Sequence, residues 1–330
     1  MSFRRSVWQK LRFALVIGVT LATFAVPSAQ AAAPVQWLDT AGDQSRDQSI
    51  QITQFLAKEL WIDAGDSVKW AVQSGEFHTV TLLPPNVSAP SLIATSPAVC
   101  APNPPPCFNP QAAGPSGGNS FDNTTFVNSG LLFQGQSFSV TFSKPGTFIF
   151  LCLVHAGMTG TLHVQPAGTP YPHDQRFYDT QGTIQKASAL GDGVRLRAQG
   201  LVQAETSPGE NVTAGTGDPQ VFVARFLPGN ISVRVGQTVE WTNRDPATPH
   251  TVTFGQDPPG GDFGAFPPIP GPPGSATISS TSQNVNSGFL GAGLPFGTTF
   301  QVTFTAPGDY QYHCVLHDDL GMDGVVHVHA

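Results

Sequence analysis

Polar and apolar side chains alternate along Ser137-Phe138-Ser139-Val140-Thr141-Phe142, and again along Gln301-Val302-Thr303-Phe304. A period of two puts every apolar residue on one face, the pattern of a strand with one side buried and the other wet. Lys144-Pro145-Gly146 and Ala306-Pro307-Gly308 follow these runs as turn signals, and each half ends in a short valine-containing run, GTLHV at 160–164 and GVVHV at 324–328. Strands this short, this β-branched and this regularly punctuated predict two antiparallel β-sandwiches in an all-β chain.

The pattern occurs twice because the chain repeats itself. Residues 55–70 (FLAKELWIDAGDSVKW) lie over residues 226–241 (FLPGNISVRVGQTVEW) without a gap, and each copy continues to HTVT, at His78 and His250. Further on, VNSG at 127–130 matches VNSG at 285–288, and residues 138–155 match residues 300–317. A boundary is expected in the polar stretch that follows the first copy. This divides the chain into a segment 1–31, a first domain 32–165, a linker or edge segment 166–217 and a second domain 218–330. Pro/Gly/Ser-rich insertions occupy 84–128 and 256–286; stretches such as 258–274 cannot form ladders, and the insertions are expected to run over the surface.

Segment 1–31 has the three parts of a secretory signal. Arg4, Arg5, Lys10 and Arg12 make a positive start, residues 13–26 are apolar, and Ala29-Gln30-Ala31 offers a cleavage site. The apolar run of 14 residues is shorter than the roughly 20 that a spanning helix needs, so no stable membrane insertion is expected after cleavage. Arg4-Arg5 partly matches a twin-arginine signal. The expected location is periplasmic or extracellular. Composition adds that only 11% of residues are charged and that acidic residues outnumber basic ones, 22 to 15. Without a basic patch the chain lacks the footprint of a nucleic-acid binder, and cleavage would make it more acidic still.

The chemistry is concentrated in Cys152-Leu153-Val154-His155-Ala156-Gly157-Met158 with His78 upstream. Its counterpart is Cys314-Val315-Leu316-His317-Asp318-Asp319-Leu320-Gly321-Met322 with His250 upstream. A thiolate, two imidazoles and a weak axial thioether form the donor set that selects copper and suits it to one-electron transfer. Apart from Met1, Met158 and Met322 are the only methionines of the chain.

On these motifs both halves resemble cupredoxins, the blue (type 1) copper proteins. Cys-x2-His-x2-Met is similar to the ligand loop of amicyanin, and Cys-x2-His-x4-Met to that of plastocyanin. The resemblance implies two Greek-key β-sandwich (cupredoxin-like) domains in tandem. One copper is expected on His78, Cys152, His155 and Met158, and a second on His250, Cys314, His317 and Met322. It also implies an electron carrier serving redox partner proteins, which the acidic chain would recognise through basic docking patches. The electron would leave through His155 or His317, expected at the solvent edge. The longer second loop predicts that the two coppers differ in potential and spectrum.

Other residues leave alternatives open. Cys100 and Cys107 bracket a proline run and are expected to form a disulfide in an exported protein, with a copper-scavenging thiol pair as the other reading. Five histidines remain outside the ligand sets: His163, His173, His313, His327 and His329. They are too few for the His-x-His array of a laccase-like cluster, but three would suffice for a type 2 copper of the nitrite-reductase kind. His313, beside Cys314, keeps that oxidoreductase reading open, although Leu151 stands at this place in the first half. Alternation turns His163 and His327 outward, and His327-Val328-His329 puts two imidazoles on one face. A copper storage or tolerance protein is the third reading.

Overall fold

The computed structural model describes residues 33–94, 96–101, 107–257, 274–292 and 297–330. The expected signal segment 1–31 and the tract at 258–273 lie outside the described residues. The fold class is the expected one, mostly β and built as two sandwich-like halves. Ser137–Phe142 and Thr299–Phe304 are strands, and Val140, Phe142, Val302 and Phe304 are fully buried. Equivalent aromatic residues fill the two cores. Trp70 meets Phe150 at 5.1 Å between ring centroids and Trp241 meets Tyr312 at 5.2 Å, while Phe55–Phe150 and Phe226–Tyr312 both stand at 4.7 Å.

One sheet passes through both sandwiches. At its centre Ile50–Leu56 pairs antiparallel with Val221–Leu227, in the register Ile50↔Val223, Gln51↔Phe222 and Ile52↔Val221. Outward lie Gln36–Gln44, Ser67–Ala71 and Ser137–Phe142 on one side, and Glu210–Asp218, Thr238–Arg244 and Thr299–Phe304 on the other. Each half contributes a separate second layer, which includes Gly146–Leu151 and Thr159–Gln165 in the first and Gly308–His313 and Asp323–His329 in the second. A strand edge left open invites pairing with another chain. Here each sandwich closes the edge of the other.

The segment expected to be a linker differs most from the sequence reading. It contains a 32-residue helix, Gln175–Thr206, and the strand Glu210–Asp218 that already belongs to the second sandwich. Asp174 caps the helix, its carboxylate accepting from Phe177 N at 2.9 Å, and Ser207-Pro208-Gly209 follows its end. Its buried face is made largely of small residues, Gly182, Ala189, Gly193, Gly200 and Ala204, together with Tyr178 and Leu196. A Cβ on Gly182 would stand 3.0 Å from Leu56 O, and one on Gly193 would run into Ile50. The helix therefore lies close against the continuous sheet. That contact explains why every residue of Ile50–Leu56 is buried: one face lines the sandwich core and the other lies under the helix.

Two glycines shape the strands for the site. The pairing of Gln36–Gln44 with Ile50–Leu56 shifts register between Ala41 and Asp43, and that of Glu210–Asp218 with Val221–Leu227 between Ala214 and Thr216. At these bulges Gly42 (φ +76°) and Gly215 (φ +80°) adopt a backbone that disfavours side chains, and any Cβ there would collide with the rings of His78 and His250 respectively. Elsewhere, Cys100 and Cys107 are joined as a disulfide with Cα atoms 5.5 Å apart. Among the described residues no helix is long and apolar enough to cross a membrane.

Arg225 ties the halves together outside the sheet. It donates through Nη2 to Asp47 O at 2.7 Å in the first half and through Nη1 to Leu320 O at 2.6 Å in the second.

Two substitutions test this architecture. Gly42→Ala is expected to cost about 1–2 kcal/mol from its left-handed backbone and to displace His78, so copper bound per chain falls by half; Gly215→Ala does the same at the other site. Metal analysis with thermal melts checks both, and full copper loading in either variant contradicts the assignment of these glycines. Arg225→Ala leaves three carbonyls, those of Asp47, Ala224 and Leu320, without their charged donor and is expected to destabilise the chain by roughly 1–3 kcal/mol in denaturant titration.

Candidate metal centre

Each site is built from one strand-to-strand loop and one upstream histidine. Gly146–Leu151 delivers Cys152, and the loop that returns to Thr159–Gln165 carries His155 and Met158. Cys152 N–H donates to Met158 O at 3.0 Å, which pins the loop shut. Cys314 N–H donates to Met322 O at the same distance. His78 and His250 are fixed from the neighbouring segment by reciprocal backbone hydrogen bonds with Leu132 and Leu290.

The structure brings the expected donors together. In the first site Cys152 Sγ lies 3.9 Å from His78 Nδ1 and 3.8 Å from His155 Nδ1. In the second, Cys314 Sγ lies 3.9 Å from His250 Nδ1 and 3.4 Å from His317 Nδ1, and the two Nδ1 atoms stand 3.1 Å apart. Within each triad all ligand atoms fall within 4.8 Å of one another. Met158 and Met322 are buried in the same two cores as the cysteines. Thr79 N–H donates to Cys152 Sγ and Thr251 N–H to Cys314 Sγ, both at 3.3 Å. Those donors favour a thiolate.

Electrostatics point the same way. Burial pushes both thiols up, yet His155 and His78 around Cys152, and His317 and His250 around Cys314, outweigh it and hold each well below the ordinary thiol value. Burial likewise opposes charge on His155 and His317, but their cysteines and Glu76 hold them up at about 9 and about 10. A buried donor set of two imidazoles and one thiolate fits copper.

Outer contacts fix which ring nitrogen is offered. His78 Nε2 faces Ser74 Oγ at 2.8 Å. His155 Nε2 is 3.2 Å from Glu76 Oε2, and His317 Nε2 is 3.3 Å from Glu76 Oε1. His250 Nε2 has Asp245 Oδ2 at 3.9 Å, beyond hydrogen-bond reach. In all four rings Nδ1 is the nitrogen that faces the cysteine.

One expectation is overturned here. His155 and His317 were expected at the solvent edge, but they are only 3% and 2% exposed. Each ligand loop packs on the opposite domain: a Cβ on Gly157 would stand 3.3 Å from Pro219 Cβ, and one on Gly75 would run into Leu320. Phe222, from the central strand pair, lies 6.4 Å from the His155 ring, 6.1 Å from His250 and 5.5 Å from His317.

Sequence reasoning missed Glu76, Phe222 and the two bulge glycines. The glycines carried a signal, the repeated Thr-Ala-Gly at 40–42 and 213–215. Glu76 carried little, since the repeat sets Thr248 against it. Of the remaining histidines, His163 stacks on Trp61 at 4.0 Å and faces Glu59 at 2.8 Å, and His327 faces Asp309 at 2.7 Å. His173 stacks on Phe177 at 3.7 Å. His313 pairs with Asp257 at 2.6 Å and lies near Asp318, an exposed cluster. It is not the three-histidine set of a type 2 copper.

Comparison with known proteins agrees with this geometry. The sequence model of copper binding proteins of the plastocyanin/azurin family matches residues 44–165 and again 218–329. The chloroplastic plastocyanin of Fritillaria agrestis is 32% identical over 142 residues, 42% of this chain and 72% of that one. Plastocyanin B'/B'' of Nicotiana tabacum is 31% identical over 103 residues, 31% of this chain and 86% of the other. Among solved structures, oxidised plastocyanin from Dryopteris crassirhizoma aligns with a TM-score of 0.25 at 21% identity, covering 36% of this chain and all of that one. With both copies matched and two His-Cys-His sets assembled in the two cores, the chain belongs to the plastocyanin/azurin family of copper-binding proteins.

Proposed function

We propose that this protein is an exported one-electron carrier, with one type 1 copper held by His78, Cys152, His155 and Met158 and a second by His250, Cys314, His317 and Met322. The observation that carries the reading is the pair of buried triads in which both imidazole Nδ1 atoms face a cysteine sulfur. Copper bound there supplies a one-electron redox couple. The chain's own residues hold the donors in place from strands and pinned loops, so little has to rearrange when the charge of the site changes. Low rearrangement favours fast electron transfer. No bond of a substrate is made or broken in this reading.

The acidic chain supports basic redox proteins as partners, and the amino-terminal pattern supports export to the periplasm or beyond. Domains of 32–165 and from Glu210 onward suit this reading, because Glu210–Asp218 pairs within the second sandwich.

Copper analysis with visible absorption and electron paramagnetic resonance tests it. Two coppers per chain are expected, each with an intense thiolate-to-copper band and narrow hyperfine splitting. Cys152→Ser and Cys314→Ser should each abolish one of the two signals. An added type 2 signal with nitrite turnover would favour an oxidoreductase, and copper bound without colour a storage protein. A second expectation concerns partners: the rate of electron transfer to a basic redox protein falls as salt rises. A rate indifferent to ionic strength contradicts acidic docking.

A further inference from the structure

Glu76 belongs to neither donor set, yet it touches both. Its side chain is only 7% exposed, and its two carboxylate oxygens are divided between the domains, Oε2 to His155 of the first and Oε1 to His317 of the second. Burying a carboxylate is costly unless it is paired and hydrogen-bonded. Here its two partners are the outer nitrogens of rings whose inner nitrogens face Cys152 and Cys314. The loop has other means of holding its shape, since Ser74 Oγ donates to Glu76 O at 2.9 Å. The repeat places Thr248 opposite Glu76, so the second domain returns no such carboxylate and the link is made once. Phe222, 1% exposed, packs beside both rings and helps to keep water from the junction.

We propose that Glu76 is a shared positioning residue that joins the two copper sites into one redox unit. It orients His155 and His317 together, and its carboxylate provides a path of two hydrogen bonds, His155 to Glu76 to His317, over which an electron passes between the sites within one chain. This rests on the reading of both sites as type 1 copper centres. In the exchange the donor site is oxidised by one electron and the acceptor site is reduced by one. Both Nε2 protons stay on their imidazoles and no bond is broken. An electron taken up at one domain can then leave from the other, although both imidazoles are covered.

The test uses the full copper-loaded chain and its Glu76→Gln variant. Glutamine keeps the size but offers one carbonyl acceptor where two N–H donors must be met. Spectra come first, then internal equilibration after a rapid one-electron reduction by pulse radiolysis, then a redox titration of each site. Wild type is expected to equilibrate internally. In Glu76→Gln both type 1 spectra persist, equilibration slows roughly tenfold or more, and the potentials of both sites move together. Ser74→Ala removes a hydroxyl that meets His78 Nε2 and the Glu76 carbonyl but neither His155 nor His317, and is expected to move the first site alone. Absence of type 1 spectra in wild type sinks the copper reading itself. Intact spectra with an unchanged equilibration rate, or a shift at only one site, leave that reading standing and overturn the link. Should Glu76→Gln not fold, nitrogen-15 resonances of the reduced wild-type chain decide: Nε2–H of both His155 and His317 must be protected from exchange, and free exchange at either ring overturns the proposal.

Discussion

The antiparallel pairing of Ile50–Leu56 with Val221–Leu227 is the contact on which the rest of the molecule depends. Either strand alone would be the exposed edge of a half-built sheet. Joined, they remove both edges, align the two sandwiches in one sheet and offer a continuous floor for the helix Gln175–Thr206. The same pairing fixes the distance between the ligand loops. Gln51, opposite Phe222 in the register, has its side chain beside Glu76 N at 3.4 Å, so the loop carrying Glu76 is placed by the central strands. A sheet contact thereby decides which residues surround the metal donors.

That placement changes the character of both sites. In a lone domain the histidine of the Cys-x2-His loop would meet water. Here each loop is capped by the opposite half, through Pro219 on one side and Gly75 on the other. Closure removes the outer ring nitrogens from solvent, and a buried N–H without an acceptor costs about 1–3 kcal/mol. Glu76 meets two such N–H groups with one carboxylate. Burial penalises its charge, but hydrogen bonds from His155 and His317 hold its acidity well beyond the usual carboxylate range. The closed junction shields the carboxylate while the carboxylate satisfies the two buried N–H groups, so each favours the other.

Much of this was legible in the sequence, and for physical reasons. A period of two and a repeated Trp70/Trp241 core are local and survive any arrangement of domains. The Cys-x2-His-xn-Met loops are local too, because three donors come from a single connection between adjacent strands. The helix escaped notice because its buried face is glycine and alanine. Gly182, Gly191, Gly193 and Gly200 each weaken a helix by about 1 kcal/mol relative to alanine, and they read as breakers. Packing against the sheet overrides that penalty, since a glycine face lets the helix lie closer than any larger side chain could. The inter-domain features escaped for a different reason. Glu76 meets His317 across 241 positions of chain, and no repeat or motif announces a contact made by only one copy.

The two sites share their carboxylate, so whatever separates them has to come from elsewhere. Two differences remain. The second ligand loop is longer by two residues between histidine and methionine; it adds turns closed by Leu320 N–H to His317 O and Gly321 N–H to Asp318 O. The upstream histidines also differ. His78 has a hydroxyl at hydrogen-bond distance, whereas His250 has a carboxylate at 3.9 Å, and both Asp245 Oδ2 and His250 Nε2 lack a hydrogen-bond partner. A nearby negative charge favours the more positive state of a site, while a neutral hydroxyl does so less. The two donor sets, joined by one common carboxylate, are therefore electrostatically unequal at their upstream histidines.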